Sequence, residues 1–433
     1  MSASIASPLI YLTSGIMGST GDIRPLIALA RSLRARGFEI LVEGDRTFEP
    51  AARRAGISSS EWISSSPVSQ GEWLRTEAGQ RGLWGRRLRR RDRWIREAFA
   101  KHRAERHERL RERVGGFDNP RIAAAVGAIP AAQMLLNFGP SCAKVISCPM
   151  PYQPSGEFTL VPPDASLLYR IRDWRQRRAA RDDRRRFCEE LFHLVSASPT
   201  VFPRPKDWLP NMQVTGYIPL DDDEGWSAPE LLVEFLKQGP PPVYVGFGSH
   251  AVLFDARGRA RMAAAIEACR RRGVRCILQS PDTETSRTDD VLTLREAVPH
   301  AWLFPRCAAI VHHGGYGTLH AALVAGRPMV VYPFQTDQFL WAVRMGELGV
   351  SPGFTARLGK LSARRLARDL AVALSPACRE NAERVGAIVR ADQGLRVQAA
   401  AIESAIEHSR RGLRPVEWRM PATLRGRDEV PAS

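Results

Sequence analysis

The stretch HHGGYGTLHAALVAGRPMVVYPFQTDQ (312–338) decides how this chain is read. It continues the apolar run AAIV (308–311), so a buried strand runs directly into glycines. Thr318 to Ala325 has the composition of a helix, ended by Gly326 and Pro328, and MVVYP (329–333) reads as the next strand. Strand, glycine turn, helix and strand form the βαβ unit of a doubly wound α/β fold, whose ligand crevice lies outside the carboxyl ends of the strands. Gly314, Gly315 and Gly317 let the backbone come close to an anion there, and the first amides of the helix point at it. Thr318 is placed to cap that helix or to give its hydroxyl to a phosphate, and His313 to donate to a diphosphate oxygen. Asp337 and Gln338 fall just past the following strand, at the same edge; a carboxylate beside an amide suits vicinal sugar hydroxyls.

The same rhythm extends in both directions. PPVYVGFGS (241–249) is a strand entering a glycine turn, 257–272 a basic helix, VRCILQS (274–280) a strand, and 338–348 a helix closed by Gly349. Near the start, PLIYLT (8–13) is a strand, GIMGSTGD (15–22) a turn, 22–36 a helix closed by Gly37, and FEILVE (38–43) a strand. YIPLDDDEGWSAPE (217–230), with its prolines and acidic run, divides the two sets. The expected organisation is an N-terminal Rossmann-like domain over 1–216, a linker over 217–230, a C-terminal Rossmann-like domain over 231–405 and a tail over 406–433. Between 58 and 200 the pattern is weak and elements are not placed.

The 312–338 segment resembles the donor-binding signature of the UGT-type glycosyltransferases, in particular the bacterial branch acting on sterols, rhamnolipids and antibiotic aglycones. His313, Gly315, Thr318, Gly326, Pro328, Pro333, Asp337 and Gln338 carry the likeness, flanked by LFPRCAA (303–309) and WAVRMGELGVSP (341–352). GFGS (246–249) and GSTGDIRPLIALARSLRARGFEI (18–40) are similar to two further elements of that family. The resemblance implies an α/β GT-B fold of two facing Rossmann-like domains, and an inverting displacement that needs no metal or other cofactor. It implies that Ser249 contacts the diphosphate and that the Val298 backbone pairs with the base edge. It also implies that Asp22 is the carboxylate activating the acceptor hydroxyl, although an unperturbed Asp, with a pKa of about 4, is a weak base unless desolvated. Read without the family, Asp22 is an acid favoured by the dipole at a helix start. Plant members stack a tryptophan on the uracil; EAVPHAW (296–302) has Ala297 at that place and His300 where they carry glutamine, so the base platform does not carry over.

Composition narrows the alternatives. The formal charge is +17, mostly from arginines concentrated in 84–114 and 169–187. In the first of these Trp84, Leu88, Ile95, Phe99, Leu110 and Val114 recur near helical spacing, which reads as a surface helix with a solvated basic back; a peripheral contact with an anionic membrane is the competing reading. No recognised nucleic-acid module is present, so nucleic acid is not an expected partner. Seven scattered cysteines without C-x-x-C spacing, no charged leader and no apolar run long enough to span a bilayer point to a cytoplasmic chain. DDDE (221–224) reads as a solvated acidic run rather than a metal–diphosphate ligand. His300, His312, His313 and His320 do not make a metal set, because His312 and His313 point to opposite sides of a strand and no carboxylate or cysteine stands at ligand spacing.

The expected activity is therefore transfer of a hexose from a nucleoside diphosphate sugar, of the UDP-glucose type, to a hydroxyl of a small lipophilic acceptor. The alternatives are a dTDP-deoxysugar donor, or a catalytically inactive relative that docks on membranes.

Overall fold

A computed structural model describes residues 7–14, 20–64, 105–127, 132–148, 162–167, 170–171, 173, 181–219, 226–248, 255–280, 284–334 and 337–424. The readings of Ser249, of the acidic run 221–224 and of 84–104 fall outside them, as does the side chain of Asp22.

Two sheets carry the chain. The first has seven parallel strands: β1 (Leu9–Thr13), β2 (Glu39–Gly44), β3 (Trp62–Ser64), β4 (Ile122–Gly127), β5 (Ala143–Cys148), β6 (Phe192–Val195) and β7 (Met212–Val214), in the order β3-β2-β1-β4-β5-β6-β7. The second contains β8 (Val243–Gly246), β9 (Cys276–Gln279), β10 (Ser286–Arg287), β11 (Val291–Leu294), β12 (Ala309–His312) and β13 (Met329–Val331), in the order β10-β11-β9-β8-β12-β13. Only β10 runs antiparallel. Central strands such as IAAAVG and AIVH are buried along their whole length because helices cover both faces. Each sheet reverses its order once, between β1 and β4 and between β8 and β12, and these switch points are where such sheets hold ligands.

On the first sheet, α1 (Thr20–Arg34) packs one face and a helix over 105–114 the other. The amphipathic reading of 84–114 holds where it can be seen, since Leu110 and Val114 are buried. It fails for Arg106, which points into the protein rather than to solvent. On the second sheet, α2 (Asp255–Arg271) covers one face together with α5 (Ala363–Ala373). The other face carries α3 (Tyr316–Val324), α4 (Asp337–Glu347) and α6 (Pro376–Ala391). Helix α3 begins at Tyr316, two residues before the position expected from sequence.

The chain then returns to the first domain. Ala399, Ile402, Ala405 and Ile406 of α7 (Gly394–Arg410) lie in one core with Ile10, Leu12 and Val126, and Trp418 and Met420 complete it. The division at 405 drawn from sequence thus differs from the structure, in which the crossing falls before Gly394; the apolar stripe of α7 is buried on the first sheet. Gln398 fixes this docking by accepting from Ser196 Oγ and Thr215 Oγ1, both at 3.2 Å, and by donating to Ser147 Oγ at 2.5 Å. Outgoing and returning segments touch at Gly216 (φ 99°), where a Cβ would stand 2.8 Å from Gly394 Cα. The second domain is tied to the first through Tyr316, whose hydroxyl donates to Ser196 O, and through Arg344, which donates to Val201 O at 2.7 Å and Thr200 O at 3.2 Å.

Candidate functional site

The loops leaving β8 and β12 meet at the switch point of the second sheet, and His313 is held between them. The last pair of the β12–β8 ladder is His312 with Gly246. His313, buried just beyond it, fills the space that a side chain on either neighbouring loop would need. A Cβ on Gly248 (φ 76°) would stand 2.5 Å from His313 Cε1, and one on Gly315 would collide with Nε2. The imidazole also lies over the Phe334 ring, 5.7 Å between centroids and 27° from parallel.

Gly315 is the N-cap of α3 and offers no side-chain bond, so Thr318 does not cap the helix. The first helical hydrogen bond runs from Leu319 N to Gly315 O, which leaves the amides of Tyr316, Gly317 and Thr318 without a preceding turn to bond to. Gly315, Gly317 and Thr318 are all partly exposed there. This is an anion cradle made from backbone, with a helix N-terminus behind it.

The other histidines have separate environments. His312 Nδ1 accepts from Gly314 N at 3.1 Å, and burial, followed by the nearby His313, keeps its pKa well below the usual imidazole range. His320 is stacked 4.8 Å from Tyr217, and burial pulls its pKa down to about 3. His300 lies 4.3 Å from Phe304, and burial followed by the Arg24 charge lowers its pKa to about 4. Among the described residues, no three His, Cys, Asp or Glu side chains converge as a metal site.

Asp337 and Gln338 open α4 beside the cradle. Gln338 is buried and its Oε1 accepts from Phe334 N at 3.0 Å, which fixes the residue whose ring supports His313. Asp337 is partly exposed and accepts from Trp341 Nε1 at 3.2 Å, one helical turn on. Phe334 was not singled out from sequence, and Trp341 only as the first residue of the flanking WAVRMGELGVSP, though its i,i+4 spacing from Asp337 was visible. Val298 is buried in the core at the carboxyl side of β11. Opposite, α1 packs against α3, and Arg24 is near enough to His300 to influence it, so the start of α1, which contains Asp22, faces the second domain.

Residues 277–393 match the family described as Erythromycin biosynthesis protein CIII-like, C-terminal domain. Over 418 residues the chain is 28% identical to O-mycaminosyltylonolide 6-deoxyallosyltransferase of Streptomyces fradiae, covering 90% of this chain and 96% of that one. The chain is a GT-B glycosyltransferase. This glycosyltransferase is also 33% identical over 211 residues to the sterol 3-beta-glucosyltransferase UGT80A2 of Arabidopsis thaliana, covering 49% of its own length and 32% of the relative's. It thus spans about a third of that relative. In fold, the glycosyltransferase is similar to the crystal structure of the glycotransferase of kitacinnamycin, with a TM-score of 0.65 at 19% identity over 92% of this chain and 99% of that one.

Proposed function

We propose that this glycosyltransferase moves a hexose from a UDP-glucose-type donor to a hydroxyl of a small lipophilic acceptor, with inversion and without a bound metal. The observation that carries this reading is His313 seated between Gly248 and Gly315 at the uncapped start of α3. The diphosphate lies on the α3 amides, where His313, Thr318 and Ser249 neutralise the charge that grows on the leaving group. Donors fixed in advance around a developing charge commonly supply a few kcal/mol each. Gly315 and Gly317 leave room for the phosphates, and Val298 offers its backbone to the base. Asp337 and Gln338 face the sugar. The Gln338 carbonyl oxygen accepts from Phe334 N, which holds the side chain at the start of α4 beside the sugar. Asp22, at the start of α1, takes the acceptor proton as the oxygen attacks the anomeric carbon from the side opposite the departing diphosphate. In this reading the amides and the imidazole neutralise the charge that a metal would otherwise meet.

A deoxysugar donor is the second reading. It is favoured by the likeness to the Streptomyces fradiae relative, a 6-deoxyallosyltransferase aligned over nearly the whole chain.

Both are tested by thermal shift with UDP, dTDP, GDP and their glucose conjugates on wild type and His313→Ala. At 100 times its Kd a true donor adds about 2.7 kcal/mol, which raises the Tm of a domain of roughly 200 residues by roughly 5–10 °C. A rise with UDP that vanishes in His313→Ala supports the first reading, and one with dTDP alone the second. Absence of any nucleotide effect on wild type overturns both.

A further inference from the structure

Arg106 belongs to the arginine-rich stretch, yet it is only 6% exposed, and Glu43 opposite it is fully buried. The pairing is bidentate, Nε and Nη2 each donating to one carboxylate oxygen. Nη2 also donates to Thr13 Oγ1 at 3.0 Å, and that hydroxyl donates to Glu43 Oε2 at 2.8 Å. The Tyr11 hydroxyl donates to the same carboxylate oxygen. Burial works against the charge on Arg106, but hydrogen bonding and attraction from Glu43 outweigh it and raise the guanidinium above its usual range. Burial, then Glu43, pushes the Tyr11 hydroxyl well up, so it stays a donor.

A buried ion pair of this kind adds little net stability compared with apolar packing. Its placement is more telling. Thr13 closes β1 and pairs in register with Glu43 near the end of β2, so the cluster stands at the carboxyl edge beside the β1–β4 switch point. The next residue, Gly44, is packed against α1. A Cβ there would stand 2.7 Å from Ile23 Cδ1 and 2.8 Å from Trp62 Cη2. Ile23 is fully buried and adjoins Asp22 in the first turn of α1. A continuous line of packed atoms runs from Arg106 through Glu43 and Gly44 to Ile23.

We infer that Arg106 and Glu43 are a positioning pair that sets the start of α1, and with it Asp22, toward the acceptor hydroxyl. Neither residue touches the reacting atoms. The inference rests on the proposed role of Asp22, and its test separates the two.

The informative variant is the double substitution Arg106→Met with Glu43→Gln, which leaves no lone charge buried. Nucleotide release from UDP-glucose and dTDP-glucose is followed with water, a simple phenol and a sterol in detergent micelles as acceptors, alongside the thermal shift with UDP and dTDP. The double variant is expected to fold and to keep the wild-type donor shift. Its kcat falls about 10- to 100-fold while the donor KM stays within about twofold, and the acid limb of its kcat profile moves by about half a pH unit or more. Arg106→Lys keeps the charge but not the fork and recovers part of kcat. A folded double variant with wild-type kcat and pH profile overturns the inference alone. A wild type that binds neither nucleotide and consumes neither donor overturns the functional reading and the inference with it.

Discussion

The carboxyl edges of the two sheets occupy equivalent places in the same topology and are built from different materials. At the edge of the second sheet the chain uses glycine and peptide groups: Gly248 and Gly315 around one imidazole, then the bare start of α3. At the edge of the first it uses interlocked side chains, Tyr11, Thr13, Glu43 and Arg106. A diphosphate is the same in every donor, and peptide dipoles at a helix start suit it without further adjustment. An acceptor hydroxyl has to be aimed, and aiming requires side chains held by other side chains.

If the division of labour is right, the largest single effect falls on the first edge. Asp22→Asn should lower transfer by about 100- to 10,000-fold, the range of a positioned general base. Its donor affinity, measured by calorimetry, should match wild type; a parallel loss of affinity would place Asp22 on the donor side and break the comparison. Gly248→Ala probes the second edge with one methyl group. Its φ of 76° and the nearby His313 ring leave the new Cβ no room. Stability by denaturant titration should fall by about 1–2 kcal/mol, and donor affinity by about tenfold as the imidazole shifts. An unchanged Kd would show that the tight fit around His313 is unrelated to the donor.

The smallest effect concerns acidity. Burial holds His193 and His300 near a pKa of about 4 and His320 near about 3. In the unfolded chain these groups titrate at about 6.5. Their contribution is thus fully present above about pH 6.5 and is lost as pH falls toward about 4, because only the unfolded state takes up the protons. Each is worth at most about 1.4 kcal/mol per pH unit in that window. His320 sits among Tyr217, Tyr316 and Trp341, and its Nε2 has no hydrogen-bond partner among the described residues. His320→Phe should therefore be nearly neutral at pH 7.5 and about 1 kcal/mol more stable than wild type at pH 5.5, read from the pH dependence of Tm.

The difference between the edges also explains what could be read from residues alone. A site made of backbone demands particular residue types at fixed spacing, so His313, the glycines and Asp337–Gln338 stand out in one continuous segment. Glu43 and Arg106 are 63 positions apart, and nothing local marks either one. Arg106 is one arginine among many in a stretch whose apolar period suggested a solvated basic face. The βαβ units at both ends were legible because glycine and proline punctuate them. The strands between 58 and 200 were not, since β3 has only three residues and β4 and β5 are buried on both faces and so show no alternation. The return of α7 to the first sheet was invisible for another reason: its apolar stripe says that it is buried, not against which sheet.

That return has a consequence for how the protein is made and recombined. The core of the first domain contains Ala399, Ala401, Ile402, Ala405, Ile406, Trp418 and Met420, so the part of its face over β4 and β5, beside α1, stays uncovered until those residues have been synthesised. The second domain, though later in the chain, needs nothing beyond α6 to close its own core. Completion of the two cores is thus expected to run against sequence order. A hybrid that exchanges acceptor-side domains between relatives must carry two separate pieces of chain, because the first domain is discontinuous in sequence.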